Sequence, residues 1–243
     1  PWSNLRVEND STLVGYKLVK GWGPERHVYF TAVFSKPFRD FGIMQDTIPV
    51  KYNTNRFRSS LEAWGKDLRF WMRFPTRQGE MVTVKTAVSA VSSDGAKLNM
   101  QELEGKTFAS LKAEGEKLWE GQLSKFKIEA TPEQRETFYT SVYHAFLHPF
   151  IFQDADGKFR ELDKNIGQAE GFTNYTVFSL WDTYRALHPL FNLVQREINV
   201  DIVNSMLAHY DKSVEHMLPV WSFYGNETWC MIGYHAVSVI ADA

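Results

Sequence analysis

Leu68-Arg69-Phe70-Trp71-Met72-Arg73-Phe74 alternates with a period of two, the pattern of a half-buried β-strand. Leu68, Phe70, Met72 and Phe74 share one face, and Arg69 and Arg73 turn outward around Trp71. The same period runs upstream, where Val28, Phe30, Ala32 and Phe34 are opposed by His27, Tyr29, Thr31 and Val33. Downstream, Val82, Val84, Thr86 and Val88 supply a further strand. Residues 75–79 and Ser93-Asp94-Gly95 punctuate the strands and close this half. Strands in succession without intervening helices predict an antiparallel β-sandwich over residues 1–100. The chain opens in mid-pattern, so further strands of that sandwich are expected upstream.

From Thr107 the period moves toward 3.6. Phe108, Leu111, Leu118 and Trp119 fit a linker helix within 101–130, weakened at Gly115 by roughly 1 kcal/mol relative to Ala. A short strand is expected over 126–129. Thr131-Pro132-Glu133-Gln134 then reads as a helix start: Thr as N-cap, Pro at the first helical position and Gln completing a capping box. This helix is expected to pass Phe138, Val142 and Ala145 and to run toward His148, where Pro149 stops it. A hairpin is expected over 151–162, turning at Asp154-Ala155-Asp156-Gly157. Three more helices are expected over 179–187, 200–212 and 228–243. Their apolar positions are Leu180, Tyr184 and Leu187, then Ile202, Met206 and Tyr210, then Ile232, Ala236, Val239 and Ile240. The fold class is therefore α+β: a partial sandwich, a helical linker, and over 131–243 the first helices of an α-barrel.

Composition narrows the function classes. A net charge of −2 supplies no basic field for nucleic acid or an anionic membrane surface. No apolar run is long enough to span a membrane. Cys230 is the only cysteine, so neither an internal disulfide nor a thiolate metal cluster can form. Pro1 stands where an initiator Met would, and the last helical pattern stops at Ala243 without a capping residue, so a longer parent polypeptide is expected. Aromatic residues make up 15% of the chain, more than a core alone needs. Aromatic rings flanked by Asp, Asn, Glu and Arg suit a sugar, with its apolar C–H faces ringed by hydroxyls; an aromatic-rich core is the plain alternative.

Two segments concentrate chemistry. On a helix, Phe178-Ser179-Leu180-Trp181-Asp182-Thr183-Tyr184-Arg185 would bring Trp181, Asp182 and Arg185 into one neighbourhood. Trp181 could stack on a sugar and Asp182 grip its hydroxyls; a structural Asp–Arg pair beneath an indole is the alternative. In 221–233, Gly225 breaks the chain and a helix is expected to follow, which puts Glu227 at a loop-to-helix junction. A glycosidase acid must be protonated near neutral pH. Trp221, Tyr224 and Trp229 would bury it, whereas a helix N-terminus would favour the carboxylate. A simple helix cap explains Glu227 equally well from spacing alone.

Weaker signals read as structure. Asp154-Ala155-Asp156-Gly157 begins like a calcium loop but lacks the later ligands, so a turn is expected. His144 and His148 lack the Glu of a zinc protease between them. Cys230 is expected to be a small buried residue. Three glycosylation sequons occur, beginning at Asn9, Asn174 and Asn226. Trp22, between Gly21 and Gly23, is either an exposed loop indole that reaches a sugar or a packed one.

The run Thr173-Asn174-Tyr175-Thr176-Val177-Phe178-Ser179-Leu180-Trp181-Asp182-Thr183-Tyr184-Arg185-Ala186-Leu187-His188-Pro189-Leu190 resembles glycoside hydrolase family 92, the calcium-dependent exo-acting α-mannosidases. So do Leu218-Pro219-Val220-Trp221, residues 225–233 and Val239-Ile240-Ala241-Asp242-Ala243. Gly15-Tyr16, Gly21-Trp22, Val28-Tyr29-Phe30 and Phe34-Ser35-Lys36-Pro37-Phe38 are similar to that family's sandwich domain. The resemblance implies a β-sandwich, a helical linker and an (α/α)6 barrel, with the active site between the two domains. It implies hydrolysis of terminal α-mannosides of glycans with inversion, aided by Ca²⁺, in an exported protein of a glycan-degrading bacterium. It assigns Glu227 as general acid, Trp181 and Asp182 to the terminal-mannose subsite, Arg185 as their support and Trp22 as a contact from the sandwich. The carboxylate base of an inverting pair is expected beyond Ala243, and no calcium ligand is assigned within the chain. Another (α/α)6 glycosidase and a non-catalytic carbohydrate-binding protein are the alternatives.

Overall fold

The computed structural model describes residues 2–49 and 61–243. By their contacts these fall into two compact units, Pro1–Glu102 with Asp154–Arg160, and Leu103–Gln153 with Glu161–Ala243.

The first unit opens with strands β1 (Ser3–Asn9), β2 (Thr12–Val19), β3 (Arg26–Phe34), β4 (Asp40–Gln45), β5 (Ile48–Pro49), β6 (Leu61–Gly65), β7 (Leu68–Arg73) and β8 (Val84–Ser89), followed by helix α1 (Ser93–Met100). They form two antiparallel sheets, ordered β6-β1-β2-β3-β8 and β5-β4-β7. Val7, Leu13 and Ala32 face inward from the larger sheet, and Phe41, Phe70 and Met72 from the smaller. Phe38 is buried among them, its ring edge-on to Phe34, Phe41, Phe70 and Phe74 at 5.3–6.3 Å. This is the expected sandwich, and β7 alternates as its sequence reads, with Arg69, Trp71 and Arg73 outward. The indole of Trp71 lies across Gly42 of β4, its cross-strand neighbour; a Cβ there would sit 2.7 Å from the ring nitrogen. Glycine is what lets that ring cover the sheet.

Three details differ from the expectation. Strand β8 starts at Val84 rather than Val82, and Val84 and Val88 form its exposed face. Thr31, read as outward, is buried because α1 packs on β3 and β8. Ser93-Asp94-Gly95 is not a turn but the first turn of α1, capped by Ser92, whose hydroxyl accepts from the Gly95 N–H.

The second unit holds α2 (Phe108–Leu123), α3 (Pro132–Ala145) and β9 (Phe150–Ile151). Strand β10 (Lys158–Arg160) belongs to the first unit. Then follow β11 (Ile166–Gln168), β12 (Tyr175–Thr176), α4 (Leu180–Thr183), α5 (Leu187–Val194), α6 (Arg196–Lys212) and α7 (Ala236–Asp242). Helix α3 begins as read, with reciprocal Thr131 and Gln134 caps and Pro132 in its first turn. Its core gathers Phe178, Leu180, Phe191, Ile202, Met206, Ala236 and Val239, drawn from α4 to α7 and the segment before α4.

Here the differences are larger. The strand expected over 126–129 is irregular chain; Phe126 packs against Phe138 and Phe146, and its carbonyl accepts from the Tyr139 hydroxyl. The turn at Asp154 exists, but β9 pairs with β12 instead of closing a 151–162 hairpin. The helix expected over 179–187 is the single turn α4, with α5 starting anew at Leu187. The helix expected from 228 begins only at Ala236, which leaves Ile232 exposed. No helix among the described residues is long and apolar enough to cross a membrane.

Candidate functional site

Helix α4 is anchored by Leu180, which is fully buried, so its next residues face away from the core. Trp181 is 37% exposed, and the Arg185 guanidinium lies 5.1 Å from its ring centre and 5.1 Å from that of Tyr184. Tyr184 in turn stacks on His235, centroids 4.1 Å apart and planes 7° from parallel. Asp182 does not pair with Arg185 as the plain alternative required. Its Oδ2 accepts from the Ser179 hydroxyl at 2.5 Å, and the residue as a whole is exposed. The segment therefore presents an indole face, a guanidinium and a carboxylate oxygen side by side, a set suited to a polyol ring.

The 218–229 loop packs against this segment. Phe178 N–H donates to the Ser222 carbonyl at 3.2 Å and Tyr224 N–H to Thr176 Oγ1 at 3.0 Å. Trp221, Ser179, Thr183 and His188 line one cavity of about 240 Å³ with His148 and Phe178. Burial holds the His188 imidazole well below its ordinary range, at about 4, against the opposing hydrogen bond of Asn199.

Glu227 is not at a helix start; α7 begins nine residues later. Its carboxylate instead closes the loop. Oε2 accepts from Val220 N–H at 2.9 Å, and Oε1 from Trp221 N–H at 2.9 Å and Trp229 N–H at 3.0 Å. Ser222 and Glu227 form an isolated antiparallel bridge, and the Thr228 hydroxyl donates to the Trp221 carbonyl at 2.9 Å. Lys164 secures the outer side of the loop through the Gly225 carbonyl and Asn226 Oδ1. His209 Nε2 lies 3.5 Å from Glu227 Oε2. Burial pushes that imidazole down to about 4, so near neutral pH the contact joins a neutral ring to the carboxyl group and is not an ion pair.

Trp181, Asp182 and Arg185 are thus brought together, and Glu227 stands on the loop that adjoins them. Trp22 is 58% exposed on the loop between β2 and β3, in the first unit. Cys230, expected to be buried, is exposed. Asp154 is buried in the first unit, where it accepts from the Ser89 hydroxyl and the Asn99 amide. The sequence reading missed His209 and the Tyr184–His235 stack. The spacing Ile202, Met206, His209 places that histidine on the buried face of α6 and was the one signal available.

The family model "Glycosyl hydrolase family 92 catalytic domain" matches residues 95–243, and "Glycosyl hydrolase family 92 N-terminal domain" matches residues 1–89. No curated protein matches the chain. Among solved structures, a family GH92 α-mannosidase from Bacteroides thetaiotaomicron is 72% identical over 99% of this chain, with a TM-score of 0.94; it is solved alone and in complex with mannoimidazole. A second protein of that organism, titled a family GH92 inverting mannosidase, shares the fold at 24% identity over 98% of the chain, with a TM-score of 0.85. The chain spans 32% of the length of each.

Proposed function

The chain belongs to glycosyl hydrolase family 92, and from that premise we propose that the whole protein is an exo-acting α-mannosidase that hydrolyses terminal α-mannosides of glycans with inversion. The observation that carries this reading is the 72% identity to an α-mannosidase across 99% of the chain. The Trp181, Asp182 and Arg185 geometry supports it at the level of chemistry. The indole stacks on one face of the mannose ring, the Asp182 carboxylate accepts from a ring hydroxyl, and Arg185 holds the indole through the guanidinium that lies over its ring. Trp22 is a further proposed contact. The carboxylate base belongs, on this reading, to the two thirds of the relatives' length that the chain does not span. Export is proposed with it, since polymeric glycans are met outside the cell.

A Ca²⁺ ion is part of the same proposal. Calcium takes six to eight oxygen ligands, several of them carboxylates. Among the described residues no three His, Cys, Asp or Glu side chains group closely enough to hold a metal ion. The described residues do not supply that ligand set by themselves, so the ligands are proposed to lie elsewhere in the protein.

Kinetics of the full-length protein on an aryl α-mannoside test the reading. Turnover is expected, with loss on chelation and return on adding Ca²⁺. Turnover that chelation leaves untouched would remove the calcium; its absence would remove the mannosidase.

A further inference from the structure

We propose that Glu227 is a positioning residue that fixes the 220–229 loop and presents the Trp229 indole as a stacking platform for a sugar ring, and that it is not the proton donor. The proposal rests on the mannosidase reading above and departs from the role that the family resemblance gave this residue.

A general acid carries its proton on an oxygen turned toward the leaving-group oxygen, within hydrogen-bond reach. Both oxygens of Glu227 accept main-chain N–H bonds, and the residue lines the same small cavity as Trp229. A carboxylate offers about four acceptor sites. Two on Oε1 are taken by the N–H groups of Trp221 and Trp229, and one on Oε2 by that of Val220. Beside Oε2 stands the buried imidazole of His209. A proton placed on Oε1 would meet main-chain N–H donors. The side chain is only 10% exposed.

What the carboxylate does instead is visible in the backbone. Trp229 has φ +52°, a left-handed conformation that a large side chain with a Cβ rarely adopts. The bond from its N–H to Glu227 Oε1 holds it there. The indole is thereby left 51% exposed at the rim of a cavity of about 130 Å³ that Ser213, Glu215 and His209 also line. An aromatic face beside a hydroxyl and a carboxylate suits the apolar C–H face and hydroxyl edge of a pyranose. At its other end the same clamp sets Trp221, whose side chain lines the cavity shared with Ser179 and Thr183 next to Trp181 and Asp182.

The test compares the full-length protein with Glu227→Gln, Trp229→Ala and the double variant. Two substrates are used, α-mannobiose, whose leaving group needs an acid, and dinitrophenyl α-mannoside, whose leaving group does not. In Glu227→Gln an NH₂ replaces one acceptor oxygen. KM on both substrates is expected to rise by about tenfold, the worth of one charge-assisted hydrogen bond. The alkaline limb of the pH profile should stay in place. Trp229→Ala should raise KM comparably, and the double variant no further than either single change, because one clamp serves one platform. A kcat on mannobiose that falls by on the order of 10²-fold or more while the dinitrophenyl substrate is spared, with the alkaline limb gone, would make Glu227 the acid and overturn the proposal. Unchanged KM in Trp229→Ala overturns the platform, and it does so even if Glu227→Gln does not fold. Should the wild type turn over no mannoside, the mannosidase reading has failed. Mannobiose quenching of tryptophan fluorescence, lost in Trp229→Ala if the platform is real and retained if it is not, then still decides the platform.

Discussion

Gly95 stands in the first turn of α1, where alanine would ordinarily add about 1 kcal/mol of helix stability. In this fold a Cβ at Gly95 would lie 2.0 Å from Asp154 Oδ2 and 2.8 Å from the Ser89 hydroxyl. Asp154 is buried and tied to Ser89 and Asn99, so it has little room to yield. Overpacking of this kind costs about 1–3 kcal/mol, and unsatisfied partners add to it. Gly95→Ala is therefore expected to lower the thermal midpoint although propensity alone predicts a rise; a higher midpoint would show that the Asp154 turn moves freely. The same contrast between local and distant causes separates what was legible at single residues. Trp181 and Arg185 could be paired from spacing because helix geometry fixes their separation, and α4 with the turn after it does bring them together. Asp182 could not be resolved, because Ser179 and Arg185 are both within its reach and spacing does not choose between them. Glu227 was read as a helix start because three of its four neighbours in bonding are remote or follow a turn that sequence does not reveal.

At the scale of elements, a start signal that closes on itself contrasts with an extended stretch whose partner lies far along the chain. The Thr131–Gln134 capping box satisfies its own donors, so α3 begins where its sequence says. The extended stretch at β9 has no such local closure, and it pairs with β12 rather than with its neighbour in sequence. Residues after Glu227 have helical spacing, yet Trp229 stands at φ +52° and Gly233 at φ +92°, a left-handed backbone through which an α-helix cannot run. Two helices also carry a pH dependence. His188 on α5 and His209 on α6 are both pushed down to about 4, chiefly by burial, from an ordinary value near 6.5. Between those values the unfolded chain binds protons that the folded one refuses. Stability from this source is full above pH about 6.5 and is lost as pH falls toward 4, by on the order of 3 kcal/mol for each histidine. The thermal midpoint should fall across that window and fall less steeply in His188→Gln or His209→Gln. A flat midpoint would mean that the two imidazoles are hydrated in the native protein.

At the scale of the molecule, each unit shows a different relation between pattern and fold. The first unit is a sandwich whose inner face was readable from alternation, since each sheet buries one side against the other and the pleat enforces the period. Its second covered face, under α1, was not, because nothing local in β3 records a helix packed on it. In the second unit, α2 buries no residue, and Phe108 and Leu118 are 82% and 66% exposed. Its apolar spacing predicts packing, and among the described residues Trp119 does meet Tyr143 of α3, ring centroids 4.5 Å apart, while Phe108 and Leu118 stay open. The chain spans 32% of the solved relatives' length, and the proposed activity is therefore measured on the full-length protein. The most direct measurement is turnover by the full-length protein across a panel of aryl α- and β-glycosides of mannose, glucose and galactose. Hydrolysis of the α-mannoside alone is expected, abolished or nearly so by Asp182→Ala with the fold intact. Hydrolysis of another sugar with the mannoside untouched, or a mannosidase indifferent to Asp182, would contradict it.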